Sequence, residues 1–171
     1  DVTIGSEGCS LASDTGSDIY NFTTTGKVLI NKDSCSFYGV CQTLRGKAIN
    51  CSSDLDIYTA KNVSDFQEIS GLFGKVNQLE NCEFTGEIKT LGELEYDSLG
   101  ESKVAGIAIK CREGGKIQNC VNKGNITVAG EKALSVGGIA VVNQGEIKNC
   151  INEGDISGGS TTGGISGTIT K

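Results

Sequence analysis

Ile147-Lys148-Asn149-Cys150-Ile151-Asn152-Glu153-Gly154-Asp155-Ile156 decides the fold, because the chain writes this stretch five times with small changes. Ile117-Gln118-Asn119-Cys120 leads to Gly124 and Ile126, and Leu79-Glu80-Asn81-Cys82 leads to Gly86 and Ile88. Ala48-Ile49-Asn50-Cys51 leads to Ile57, with Leu55 at the glycine position. Ile19-Tyr20-Asn21-Phe22 leads to Gly26 and Val28. The frame is apolar, any, Asn, Cys or Phe, three residues, Gly, any, apolar. Its Cys positions stand 29, 31, 38 and 30 residues apart, while the short frame itself never slips. A fixed motif separated by variable insertions is the signature of a repeat architecture.

A second marker precedes each motif. Gly138-Ile139-Ala140, Gly106-Ile107-Ala108, Gly71-Leu72-Phe73 and Gly39-Val40-Cys41 each start 11 to 14 residues before the Cys, and Gly8 starts 14 before Phe22. Gly164-Ile165-Ser166 opens a sixth unit. The repeat units are therefore 8–31, 39–57, 71–88, 106–130, 138–159 and a partial 164–171, with insertions at 32–38, 58–70 and 89–105. Residues 1–7 read as a short strand, 32–38 as a loop, 58–70 as an insertion whose structure is left open with one helical turn as an option, and 89–105 as a projecting hairpin or loop.

Composition fits stacked repeats better than a conventional core. The chain of 171 residues has 25 Gly, no Pro, His, Met or Trp, and 5% aromatics. A solenoid stacks small aliphatic residues along a narrow axis and needs few aromatics. Helix is a poor reading, since interior glycines recur in every window and each costs a helix about 1 kcal/mol. Short β-branched runs bounded by Gly and Asn signal strands and corners. Strict alternation along Ile117-Gln118-Asn119-Cys120 would put Cys outside, so a kink at the Asn is expected to turn both Ile117 and Cys120 inward.

Stacking converts the frame into columns. Asn21, Asn50, Asn81, Asn119 and Asn149 would pass amide hydrogen bonds from turn to turn, as stacked amides do in cross-β structures. Gly26, Gly86, Gly124 and Gly154 would permit positive φ at a second corner. Cys51, Cys82, Cys120 and Cys150 would form a buried column of small apolar side chains, read as free thiols. Of the eight Cys, the four off this column, Cys9, Cys35, Cys41 and Cys111, are the disulfide candidates. With no His and no Cys-x-x-Cys pair, no zinc site and no cofactor are expected. Four Asn-x-Ser/Thr triplets, at Asn21, Asn50, Asn62 and Asn125, match the glycosylation sequon, which also arises by chance in such a chain. Asn62 and Asn125 are the candidate N-glycosylation sites.

Gly-Gly-Ile-Ala followed by Gly-x-Ile-x-Asn-Cys-x-Asn-x-Gly-x-Ile, at 137–156 and nearly so at 105–126, resembles the GLUG-type repeats of large secreted and cell-surface proteins. That resemblance implies a right-handed parallel β-helix and a role as an adhesive or structural stalk. It carries over no catalytic residues. The fold expected is all-β: a single right-handed parallel β-helix, or β-solenoid, of five to six turns spanning residues 1–171.

Charge narrows the partners. The net charge of −6, with acids and bases interspersed, argues against nucleic acid. No apolar run approaches the length of a membrane-spanning helix. Asp56, Glu87, Asn125 and Asp155 form a mostly acidic outward row, read as a solvated face rather than a Ca²⁺ site. Without His no ordinary Ser–His or Cys–His nucleophile can be assembled, so no enzyme is expected. The ends, with Val2, Ile4, Ile165 and Ile169 in apolar strands, show neither an amphipathic helix nor a polar cap. They are read as the joints of a head-to-tail filament or surface stalk outside the cell. The competing readings are a surface adhesin or glycan-binding module contacting its ligand through 58–70 and 89–105, a fragment of a larger surface protein, and a carbohydrate-active enzyme.

Overall fold

The computed structural model describes residues 2–4, 8–9, 11–61, 63, 66–92, 102–129 and 134–169. These residues form 23 strands and no helix. Every pairing is parallel. The chain winds through three sheets in succession. Sheet I holds six short strands: Gly8–Cys9, Cys35–Tyr38, Phe66–Ser70, Ser102–Ala105, Leu134–Gly137 and Thr161–Gly163. Sheet II holds eight, with Cys41–Ile49, Phe73–Glu80 and Ala108–Gln118 the longest. Sheet III holds nine, including Val2–Ile4, Thr23–Ile30 and Ser52–Thr59. One passage through the three sheets is one turn, and each turn lies on the one before it. The chain is a β-solenoid. The five Asn corners from Asn21 to Asn149 enclose four full turns, slightly fewer than the five to six expected, with incomplete rungs beyond them.

Sheet I corrects the reading of the insertions. Cys35–Tyr38 lies within 32–38, Phe66–Ser70 within 58–70 and Ser102–Ala105 within 89–105. Strand therefore replaces the loop expected at 32–38, and the described part of 58–70 holds strand instead of a helical turn. Residues 62, 64–65 and 93–101 lie outside the described residues. The physical reason is burial. Cys35–Tyr38 and Leu134–Gly137 are buried at every position, so they lack the polar alternation that marks a half-exposed strand. Gly8 is also displaced: it pairs with Phe37, two positions from the Gly39 marker it was aligned with.

The interior is a set of vertical files. Leu44, Val76 and Cys111 are register partners with 0% exposure, and so are Ala48, Ile117 and, at 1%, Leu79. Ile57, Ile88 and Ile126 form a third file on sheet III. The Gly markers keep the rungs close at the corner between sheets I and II. A Cβ at Gly71 would strike the carbonyl of Gly106, and one at Gly106 that of Gly138.

Gly124 tests this closeness. A Cβ there would collide with the Gly86 carbonyl and the Phe84 ring, whereas a Cβ at Gly16 meets nothing within 4 Å. Gly124→Ala is expected to destabilise the fold by about 1–3 kcal/mol, and Gly16→Ala to be neutral or slightly stabilising. Urea denaturation followed by circular dichroism reads both. Equal midpoints for the two variants would remove the argument from rung spacing.

Candidate functional site

The repeated motif builds one corner of the coil, between sheets II and III. Asn21, Asn50, Asn81, Asn119 and Asn149 all have φ between 53° and 56°. This is the left-handed region, which costs an ordinary L-residue roughly 1–2 kcal/mol and which Asn tolerates better than any residue but Gly. The kink breaks strand alternation, and Ile117 and Cys120, three residues apart, both reach 0% exposure. The corner's polar groups run along the axis in both directions. The backbone N–H of Asn50 donates to Glu80 O at 3.0 Å and that of Asn81 to Gln118 O at 3.2 Å, on the following rung. The side-chain amides point the other way. Asn50 Nδ2 donates to Asn21 Oδ1 at 3.2 Å, Asn81 Nδ2 to Asn50 Oδ1 at 3.2 Å, and Asn149 Nδ2 to Asn119 Oδ1 at 3.4 Å.

The sequence places positive φ at the glycine column, and there the structure differs. Of its members only Gly26 has it, at 119°. Gly86, Gly124 and Gly154 are needed for size instead, since a Cβ would strike the backbone carbonyl of Leu55, Gly86 and Gly124 in turn. Leu55 itself stands over Gly26, the one column glycine with positive φ, and its side chain joins the core at 5% exposure. Thr23–Ile30 and Ser52–Thr59 consequently run straight through eight residues each. The later turns bend at the Gly and split into short pairs such as Glu83–Phe84 and Glu87–Lys89.

Cys51, Cys82, Cys120 and Cys150 stand one rung apart as free thiols. The first three are buried at 1%, 1% and 0%, and Cys150 is half-buried. Backbone N–H groups of Cys82 and Cys120 donate to the sulfur of the next rung at 3.4 Å. The thiols donate to carbonyls of the same or a preceding rung, as Cys150 Sγ does to Ile117 O at 3.5 Å. Hydrogen bonds between the thiols and then burial push Cys51 and Cys120 well above the usual range. At the far end of the file the Cys120 thiol, hydrogen-bonded to Cys150, lowers Cys150 to about 7.

The disulfide candidates fare differently. Cys35 and Cys111 are free thiols. Cys41 Sγ donates to Thr43 O at 3.1 Å, and the side chain of Cys9 lies outside the described residues. The reason is register: Cys111 faces Val76 and Asn143, Cys41 faces Ala12 and Phe73, and Cys35 faces Phe66. Asn125 is exposed and its Oδ1 accepts from Asp155 N at 3.0 Å, while Asn62 is outside the described residues. In the acidic row Glu87 accepts from Tyr58 OH at 2.9 Å, which raises Tyr58 to about 12. Among the described residues no three or more His, Cys, Asp or Glu side chains gather closely enough to hold a metal ion. Of the end residues, Val2 and Ile4 pair in strand with Val28 and Ile30, so this part of the first rung is covered by its own chain. Ile165 is 39% exposed and Ile169 pairs with Asn143.

A second polar file escaped the reading of the sequence. Thr24, Ser53, Phe84, Asn122 and Asn152 are register partners three residues past the corner Asn. Asn122 is fully buried, and its Nδ2 donates to Asn152 Oδ1 at 2.6 Å and to Gly124 O at 3.1 Å. Its Oδ1 has no partner, because Phe84 occupies the rung before it. The signal was the second Asn of Asn-Cys-x-Asn, present at 122 and 152 alone. No protein-family model matches the chain, and neither a curated protein nor a solved structure matches it.

Two outcomes follow from this corner. Asn81→Ala loses the left-handed preference and the ladder bonds together, at about 2–3 kcal/mol, whereas Asn81→Gly keeps the backbone turn and costs about 1 kcal/mol. Denaturant midpoints separate them, and an alanine variant no worse than glycine would contradict the backbone argument. Of the seven described thiols, Cys150 should react first with iodoacetamide in the native protein. The thiolate is the nucleophile, so the rate should climb as pH rises through about 7. Mass spectrometry locates the label, and a fast phase surviving Cys150→Ser would show that another thiol is responsible.

Proposed function

We propose that this chain is a non-enzymatic structural protein of the cell exterior, a right-handed β-solenoid subunit that stacks head-to-tail into a filament or surface stalk. The strong preference of parallel β crossovers supports right-handed winding. One contrast carries the assembly. Ile117, Cys120 and Ile126 are sealed at 0% exposure, while their equivalents one rung on, Ile147, Cys150 and Ile156, are only partly buried. The strands Glu146–Lys148, Ile151–Asn152 and Ile156–Ser157 have no partner on their far side among the described residues. An open parallel edge accepts a further strand. The Asn ladder gives the joint a polarity, since Asn149 Oδ1 is left as an acceptor and Asn21 Nδ2 as a donor. Two tops or two bottoms would put like groups together, whereas a top on a bottom turns acceptors toward donors, and such heterologous contacts propagate. The absence of His leaves the Ser and Cys residues without an ordinary base, which supports the non-enzymatic reading.

A glycan-binding module at the cell surface is the second reading, favoured by a basic strip on sheet II. The two readings separate experimentally. Negative-stain microscopy and sedimentation of the purified chain should show linear polymers that lengthen with concentration. Ile147→Lys with Ile156→Lys, which puts charge on the open rung, should return the protein to monomer with its β-sheet circular dichroism intact. A wild-type chain that stays monomeric at every concentration sinks the filament.

A further inference from the structure

Sheet II is the basic face of an acidic protein. The strands Cys41–Ile49, Phe73–Glu80 and Ala108–Gln118 carry Arg45, Lys47, Lys75, Lys110, Arg112 and Lys116, all exposed or half-buried. Only Glu80 and Glu113 oppose them on those strands. This excess of positive charge stands on a chain whose net charge is −6. Lys75, Lys110 and Arg112 make no ion pair among the described residues. Sheet III has the reverse character, with Asp54, Asp56, Glu83 and Glu87 on its two central turns.

The cations are ordered along the axis. Asp18, Lys47, Gln78, Lys116 and Glu146 stand in one file, so it reads acid, cation, amide, cation, acid. On the same strands Arg45, Asn77 and Arg112 directly follow Leu44, Val76 and Cys111, at the point where the register shifts, and Arg45 is paired with Asp14 at 2.7 Å. A groove follows the file over three rungs, lined by Lys47, Ile49, Gln78, Glu80, Lys116 and Gln118. The ion pairs that bound it are long and exposed, Lys47–Asp18 at 3.9 Å and Lys116–Glu146 at 3.7 Å. Such pairs contribute little and are readily exchanged.

We propose that this groove binds a linear acidic polysaccharide lying along the coil axis, with anionic sugars at Lys47 and Lys116 and a neutral sugar between them at Gln78. Two rungs separate the lysines by roughly 9–10 Å, which calls for an anion on alternate sugars. A side-chain amide both donates and accepts, as hydroxyl groups require, and Ile49 offers an apolar surface to the C–H face of a ring. Asp18 and Glu146 close the file at both ends and limit the ligand to a segment of a few sugars. A nucleic acid places a phosphate at every step and is poorly served by a central rung that offers an amide at Gln78 and a carboxylate at Glu80, between carboxylate stops. The acidic face of a second copy is partly satisfied already, Glu83 by Lys123 and Glu87 by Tyr58. The inference gives the glycan-binding reading a place and a ligand class, and it does not depend on filament assembly.

Titration calorimetry of the full chain at low salt tests it. The probes are short oligosaccharides of alternating uronic acid and N-acetylhexosamine, with neutral dextran oligomers and duplex DNA as comparators. The acidic oligosaccharide should bind, and more weakly as salt rises. Lys47→Ala with Lys116→Ala should weaken it by about tenfold or more, and Lys27→Ala on sheet III with Lys123→Ala in the bend between two of its strands should leave it unchanged. Gln78→Glu, an exposed change that adds a second negative charge beside Glu80 at the centre of the groove, should abolish it. Absence of binding, equal affinity in the folded Lys47/Lys116 variant, or preference for DNA would overturn the proposal. So would loss of self-association, and of nothing else, in that variant. Polymers that still form while binding fails would remove this inference and leave the filament standing.

Discussion

At φ near +54° the backbone of Asn21, Asn50, Asn81, Asn119 and Asn149 turns through a conformation most side chains resist. That turn swings the strand from sheet II into sheet III and brings residues three apart, such as Ile117 and Cys120, to the same interior. Asn suits the position twice over. It tolerates the left-handed turn, and its amide joins the rung below while its N–H joins the rung above. A Gly would satisfy the first requirement and leave the second open.

Stacking makes each rung answerable only to its neighbours, as in other one-dimensional folds. A residue can therefore change if the rungs beside it accept the change. Leu55 replaces the column Gly over Gly26, the one column glycine whose backbone has positive φ. Phe84 interrupts the inner polar file, and Asn122 Oδ1 is left without a donor as a result. A glycine whose carbonyl lies under the next turn, such as Gly86 beneath Gly124, has no such freedom.

The outer faces are not equivalent. One sheet gathers cations, another gathers acids, and the third is short and largely buried. A coil of identical turns would spread its charge evenly. The asymmetry arises because the frame fixes only corner and core positions, so outward positions are left to vary. Binding chemistry can be placed there without disturbing the stack, and the file from Asp18 to Glu146 is an example.

By itself the sequence determined the solenoid, the strands flanking the Asn corner and the inward placing of Cys82 and Cys120. In-register stacking demands the same residue at the same place in every turn, and a repeated demand is visible as a repeated motif. Tertiary structure alone decided the rest. Sheet I is hidden because burial throughout its strands erases alternation. The positive φ belongs to Asn and the close approach to Gly because both depend on where the adjacent rung's carbonyls lie. Cys35 and Cys111 are free because register, which spacing cannot reveal, sets no other Cys opposite them. The basic strip on sheet II likewise exists only once turns about thirty residues apart are laid side by side.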